Sequence, residues 1–372
     1  MIAAPSSSQR VSRKDFLNTI HAVGGLALVG WTPGGAARVS RLSCPHVEGK
    51  NIRWIVPFTP GGGYDIYSRL IEPFYEERLG AEIVIDNVPG AAGVVAARTL
   101  RSAKPNGLTL GIQNASGLLV AAMTGQTPSL NPATDFTILG RVSPVQMVWT
   151  TGTRSPFKTI EDVFRRSDDR PIVLGITEVA SSSFVTAAVV AHLLHVNHEY
   201  VAGFAGSREA SLAAVSGNVD IACYPLESIQ DRIEAGDLRP LLQVEANPIA
   251  FHESLRGVPA LEGKEGLAIQ RARALGLDAE EAAAMVTALT AVNNAGRTIV
   301  APPGLPPDLF QCLDQHLHEV LTDPAFEAAA ATASRSLDVA TADVAREQMV
   351  AAARSVDTLL PTVRAAIQKV RG

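Results

Sequence analysis

The sequence predicts an α/β protein built as two lobes with a cleft between them. Three observations carry this expectation. From Asn51 onward, short β-branched runs alternate with stretches of helical periodicity. The alternation is completed twice, in two units of similar kind. Loops rich in glycine, serine and asparagine follow the strands. Such order calls for largely parallel sheets covered by helices. With 372 residues, 47% hydrophobic and 19% charged, the chain has the composition of an ordinary globular protein of two to three domains, which excludes disorder as its main state.

The first unit opens with the strand Ile52–Val56, ended by Pro57. A glycine loop, Pro60–Gly63, leads to a helix over Asp65–Leu79, with apolar residues at Ile66, Leu70, Phe74 and Leu79 and a stop at Gly80. Ile83–Ile85 is the second strand. Gly90-Ala91-Ala92-Gly93 opens a helix to about Ala103, and Leu108–Ile112 is the third strand. In the second unit, the strands are Val145–Thr150, Ile172–Ile176, a run from Tyr200, Val219–Cys223 and Leu238–Val244. The helices between them are Thr159–Arg166, with a cap-like start, Ser182–Leu194, Ser207–Val215 and Leu226–Ala235. The remainder is mostly helical. Asp278 caps a helix to Asn293, Ile299-Val300 is a short strand, Asp308 caps a helix to Leu321, Pro324 starts another, and Thr341–Val370 forms one or two more.

Residues 1–37 read as an export signal. Arg10, Arg13 and Lys14 form a basic start, Ile20–Trp31 an apolar stretch, and Gly35-Ala36-Ala37 a cleavage site, with the cut after Ala37. Ser12-Arg13-Lys14-Asp15-Phe16-Leu17 is similar to a twin-arginine signal with lysine as the second basic residue. The expected location is the periplasm. Residues 38–50 then form a flexible mature N-terminus carrying Cys44 as a free thiol. Arg41, three before Cys44, argues against a lipid anchor. The three cysteines make neither metal-ligand spacing nor a disulfide framework. Beyond the N-terminus no apolar run approaches the ~20 residues of a membrane span.

The net charge of −5 and 5% aromatic content argue against nucleic acid as a partner, because neither a basic stripe nor a stacking platform is present. The strongest chemical feature is Pro57-Phe58-Thr59-Pro60-Gly61-Gly62-Gly63-Tyr64-Asp65, where a strand feeds a helix N-terminus. Unpaired N–H groups there favour an anion; a tight turn with Asp65 as a plain cap is the alternative. Ala180-Ser181-Ser182-Ser183-Phe184 offers hydroxyls at another helix start, with simple N-capping as its alternative. Gln113-Asn114-Ala115-Ser116-Gly117 follows a third strand. Ligands collect at the carboxyl ends of strands in open α/β sheets, and all three segments fall at such ends. There is no Gly-x-Ser-x-Gly and no Cys-x-x-Cys. His192, His195 and His198 read as a surface helix end, and His316 and His318 as solvated residues on different helix faces. No cofactor, metal or catalytic set is expected.

The stretch Ile52–Asp65 resembles the opening of the tripartite tricarboxylate transporter substrate-binding proteins, the Bug family. The likeness continues in Leu79-Gly80, in Val84-Ile85-Asp86-Asn87-Val88-Pro89-Gly90-Ala91-Ala92-Gly93, and in Ala103–Leu110. It returns at Gly217–Asp220, Ala235–Arg239 and Ala301–Gly304. It implies a type II periplasmic-binding-protein (flytrap) architecture, a monomer that closes on a small carboxylate, hands it to a membrane permease and catalyses nothing. Lobe one would comprise 50–147 and 245–372, and lobe two 148–244, hinged near Val148 and Val244. The implied ligand-binding residues are Thr59, Gly61, Gly62, Gly63, Tyr64 and Asp65 of the first loop, Asn114 and Ser116, then Glu178, Ser181, Ser182 and Ser183, with Phe204 and Tyr224. Tyr64, Phe184, Ala205 and Tyr224 depart from the family's usual threonine or serine, histidine, lysine and aspartate. Glu178 adds a carboxylate, which repels a second anion by roughly 1–4 kcal/mol at effective dielectrics of 80 to 20. The expected ligand is therefore a monocarboxylate with an apolar or aminated portion rather than citrate. A sensory receptor and an exported α/β enzyme acting on a small organic acid are the rival readings. The segment 267–296 receives no role.

Overall fold

The computed structural model describes residues 44–371 apart from 128, 180, 245–252 and 264–265. The export signal and cleavage site expected at 1–37 lie outside the described residues.

Two sheets organise the chain. In the first, β1 (Asn51–Val56) pairs in parallel with β2 (Glu82–Asn87) and with β3 (Thr109–Asn114). The strand β10 (Arg297–Ala301) runs antiparallel between β3 and β4 (Thr137–Ser143), and the two-residue β11 (Ala340–Thr341) closes the edge, giving the order β11-β4-β10-β3-β1-β2. The second sheet has the order β7-β6-β8-β5-β9, from β5 (Met147–Gly152), β6 (Ile172–Gly175), β7 (His198–Val201), β8 (Ile221–Pro225) and β9 (Leu238–Val244). Here β6 is parallel to both neighbours, and β5 is antiparallel to β8 and β9. The expected α/β alternation is present in both.

Helices α1 (Gly63–Leu79), α2 (Val94–Arg101) and α3 (Ala115–Met123) follow β1, β2 and β3. In the second unit α4 (Ile160–Asp169), α5 (Ser182–Leu193), α6 (Ser207–Ser216) and α7 (Leu226–Glu234) alternate with its strands. The start of α4 is a reciprocal capping box between Thr159 and Asp162, as its sequence predicts. The segment without a sequence-derived role folds as α8 (Leu267–Ala274) and α9 (Ala279–Ala295), the latter capped by Asp278. Then come α10 (Pro307–Leu321), α11 (Pro324–Thr332) and α12, a single helix from Ala342 to Arg371. Helices α9 and α12 pack together, and α12 touches both β4 of the first sheet and β7 of the second. One apolar core therefore runs through both lobes, joining Leu118 and Leu289 to Trp149, Phe184, Met349 and Val356. A second core, around Trp54, Tyr67, Ile71, Tyr75, Leu313 and Leu317, lies on the other face of the first sheet.

Two elements escape the periodicity. The strand β4 carries Arg141, which breaks its apolar run, yet Arg141 is buried and bonds to Asp338 and to the Asn294 carbonyl. Burial lowers its pKa, and these acceptors offset the cost of that burial. Helix α3 is buried on nearly all sides, so it lacks the polar stripe that marks an amphipathic helix.

The cysteine reading needs correction. Cys44 is not a free thiol: it forms a disulfide with Cys312 on α10, with the Cα atoms 5.8 Å apart. The partners are 268 residues apart, so spacing carries no signal. Cys44 and Val47 are buried in the second core, which makes 44–50 part of the folded body rather than a flexible lead. His316 is also buried, not solvated, one helical turn beyond Cys312 on the inner face of α10.

Candidate functional site

The loop after β1 is organised by Asp65. Its carboxylate accepts from the Gly61 N–H (2.9 Å), from Asn87 Nδ2 (3.1 Å) and from Arg69 Nε (3.0 Å). Asn87 also donates to the Phe58 carbonyl. Burial raises the Asp65 pKa, but the bonds from Arg69, Gly61 and Asn87 outweigh it, and the group sits below its usual value. Thr59 and Gly61 are exposed and Gly62 half-exposed. At Gly63 a side chain would meet the Arg297 guanidinium and the Ser228 hydroxyl, 3.5 and 3.7 Å from the position of a Cβ.

A continuous hydrogen-bonded chain runs from this loop to the other lobe. Tyr64 donates to Asn114 Oδ1 at 3.0 Å. Asn114 Nδ2 donates to the Ala92 carbonyl at 3.1 Å. The Ala92 N–H then donates to Glu178 Oε1 at 2.7 Å. Asn114 also caps α3 by accepting from the Gly117 N–H. Burial pushes the Tyr64 hydroxyl up to about 12, so it remains a donor at neutral pH. The chain brings together Tyr64, Asn114 and Glu178, which sequence placed on three separate loops, at the carboxyl ends of β1, β3 and β6.

Ala92 was not a candidate. It lies in the turn Gly90–Gly93, where four successive residues have positive φ: 135°, 46°, 52° and 99°. For the two alanines this conformation costs roughly 1–2 kcal/mol each. The flanking glycines were the available signal. The turn leaves Ala92 buried with its amide directed at the second lobe.

The other candidates divide into donors and supports. Ser181 accepts from the Phe184 N–H and from Thr177 Oγ1, and shares a hydrogen with Ser183. It is the N-cap of α5, and Ser183 is buried beside it. Ser182 is half-exposed. Ser116 is fully buried, and its hydroxyl has no partner among the described residues; the same holds for both amide atoms of Gln113. Tyr224 donates to the Gly175 carbonyl, and the Phe204 ring lies against Gly175. Both brace the end of β6 and are not part of the Tyr64–Glu178 chain.

Beneath the glycine loop lies a charge pair that sequence reasoning missed. Arg297 of β10 and Glu227 of α7 are both wholly buried, with Nη2 3.1 Å from Oε2. Arg297 Nη1 also donates to Ser143 Oγ and the Pro144 carbonyl, and its guanidinium faces the rings of Tyr64 and Tyr67 at 5.2 and 5.0 Å. A charged residue opening the apolar run Arg297–Ala301 was the sequence signal.

Among the described residues, the group with metal-ligand proximity is Cys44, Cys312 and His316, and the disulfide withholds both thiolates. His192 and His195 are exposed at the end of α5. His198 is engaged by the Val196 carbonyl and the Tyr200 hydroxyl.

Comparison with known proteins agrees with the fold. The TctC family profile, described as the tripartite tricarboxylate transporter family receptor, matches residues 68–262. The protein BugT of Bordetella pertussis is 24% identical over 336 residues, covering 86% of this chain and 91% of BugT. A "UPF0065" protein from a Pseudomonas intergenic region is 26% identical over 250 residues, 65% of this chain and 70% of its own. Among solved structures, MatC of Rhodopseudomonas palustris with bound malate superposes with a TM-score of 0.62 at 21% identity, over 84% of this chain and 99% of MatC. Another R. palustris protein, solved with adipate, gives 0.65 at 21% identity, over 85% and 98%. The two-lobed α/β fold is shared with all of these structures.

Proposed function

Because the chain belongs to the tripartite tricarboxylate transporter receptor family, a family of solute-binding receptors rather than enzymes, we propose that it captures a small carboxylate between its lobes and delivers it to a tripartite membrane permease. The observation that carries the reading is the chain Tyr64–Asn114–Ala92–Glu178, which joins strand ends of both sheets at one place. A ligand there meets the half-exposed Gly62, the hydroxyls of Thr59 and Ser182, and, where it displaces Glu178, the Ala92 amide. Asp65 orients the loop and does not touch the anion, since its oxygens are engaged by Gly61, Asn87 and Arg69.

Glu178 sets the charge preference. Its carboxylate already occupies the Ala92 amide, so a ligand carboxylate must replace it or lie beside it. Malate and adipate accompany two relatives of this fold, which supports an organic acid as the ligand class; the Glu178 carboxylate favours a monocarboxylate or an amino acid over citrate here. The periplasm is the proposed location, in keeping with the family. The Cys44–Cys312 disulfide supports it, because such bonds persist in oxidising compartments. Among the described residues no helix is long and apolar enough to cross a membrane.

The test is a thermal-shift panel of mono-, di- and tricarboxylates, aromatic acids and amino acids on protein freed of carried ligand by partial unfolding. At 100 times Kd, binding stabilises by ~2.7 kcal/mol, and at roughly 2–4 °C per kcal/mol the right ligand raises Tm by about 5–10 °C. Ser182→Ala should weaken that response. A response confined to neutral sugars or nucleotides refutes the reading.

A further inference from the structure

A cavity of about 640 Å³ lies at the far end of α5, where the turn into β7 meets the last turns of α12. We propose that it is a second binding site, for an organic monocarboxylate with an apolar body. Helix α5 has 12 residues, so at roughly 1.5 Å per residue the cavity lies about 18 Å from the serines that open the same helix at the cleft.

The charged lining has one sign. His192, His195, His198 and Lys369 border the cavity, and among the described residues no carboxylate does. His192 and His195 are exposed, and their rings make no hydrogen bond to a described residue. The two rings stand 6.1 Å apart between centroids, tilted by 30°. His195 has a φ of 51°, the left-handed conformation that usually falls to glycine after a helix. Lys369 is exposed and makes no ion pair with a described residue; Glu199 acts on its charge without lining the cavity. Arg271 adds a further positive charge near His195. His198 is a support, since its nitrogens face the Val196 carbonyl and the Tyr200 hydroxyl.

These groups suit an anion. The Lys369 ammonium supplies charge, and an imidazole keeps an N–H to donate even when neutral. Desolvation lowers the pKa of His195, with His192 and Arg271 adding to the effect. It also lowers that of Lys369, against the pull of Glu199. Positive charge is thus disfavoured there until an anion balances it. Helix C-termini ordinarily repel anions, but the end of α5 is covered: the carbonyls of Ala191, His192 and Leu194 accept from the Val196 N–H, the His195 N–H and Arg271 Nε. Lys369, in the last turn of α12, offsets the same effect there. The floor sets the rest of the ligand. Ala188 and Ala191 of α5 and Pro361, Ala365 and Ala366 of α12 present small apolar surfaces. A second charge laid on them would lose its water without gaining a partner, whereas an alkyl or aromatic body would not.

The experiment is titration of the full chain with benzoate, hexanoate, acetate and benzamide, followed by NMR through the imidazole ring protons of His192 and His195, which report on this cavity rather than the cleft. Benzoate or hexanoate should shift both signals saturably. Acetate, which lacks the body, should bind at least fivefold more weakly, and benzamide, which lacks the charge, should not shift them. Two substitutions at exposed positions leave the fold intact: Lys369→Gln should weaken binding at least fivefold, and Ala365→Trp, which fills the floor, should abolish it. Ser182→Ala should leave the titration unchanged. The proposal is overturned if neither benzoate nor hexanoate gives a saturable shift, if benzamide matches benzoate, if Lys369→Gln or Ala365→Trp titrates like the parent, or if Ser182→Ala abolishes the shift. That last result would make the signals a distant response to the main cleft and leave the receptor reading standing.

Discussion

Replacing Glu227 by glutamine tests whether the buried Arg297–Glu227 pair ties the lobes together. Glutamine keeps the shape of the side chain and removes its charge. The partner guanidinium, fully buried and 3.1 Å away, is then left without its counter-ion. Its hydrogen bonds to Ser143 and Pro144 do not neutralise it. Removing one member of a buried pair costs ~3–5 kcal/mol. At ~2 °C per kcal/mol, the low end for domains and apt for a chain this long, Tm should fall by about 6–10 °C. The assay is thermal unfolding followed by circular dichroism, on Glu227→Gln, Arg297→Met and the double variant Glu227→Leu/Arg297→Met. The double variant should recover most of the loss, because an apolar pair needs no desolvation of charge. If Glu227→Gln melts within about 2 °C of the parent, or the double variant is as unstable as the worse single one, the pair does not hold the lobes as described.

Three more outcomes are expected. Glu178→Ala removes the side chain bonded to the Ala92 amide, so the ligand-free protein should open, read as a larger radius of gyration in X-ray scattering, and citrate should bind more tightly; unchanged scattering and citrate affinity refute the role given to Glu178. Reduction of Cys44–Cys312, or Cys312→Ser, should destabilise by ~2–5 kcal/mol, and a melting curve indifferent to reductant would count against a stabilising bond. Asp65 is held below its usual pKa by Arg69, Gly61 and Asn87, despite burial. Its contribution is therefore complete above the unfolded value of ~3.9 and is lost as pH falls through the lower folded one. Ligand affinity and Tm should drop together in that acid range, and Asp65→Asn should flatten this part of the profile.

Much of this was legible from local pattern. The parallel core of each sheet announced itself through β-branched runs ended by proline and glycine, as at Ile52–Pro57, and the caps at Thr159 and Asp278 fell where short polar residues precede an apolar stripe. The glycine loop and the serines of α5 were visible because helix starts have a chemistry that can be read from neighbours in sequence. What could not be read depends on residues brought together from afar. Arg141 and Arg297 look like interruptions until Asp338 and Glu227 arrive to meet them. Cys44 looks free until Cys312 stands 5.8 Å away. Ala92 is an unremarkable helix former, and only the left-handed turn around it turns its amide toward Glu178.

The helix α12 has a consequence for the order of assembly. Its inner face supplies Met349, Ala352, Val356, Leu359 and Val363 to the core that both sheets share. Neither lobe can finish burying its apolar surface without residues 342–371. Closing contacts across so long a chain is slow. Folding of either lobe therefore waits on contacts that residues 342–371 make with it. A truncation ahead of Ala342 strips both halves at once, so the final helix acts as the keystone of folding as well as a wall of the finished molecule.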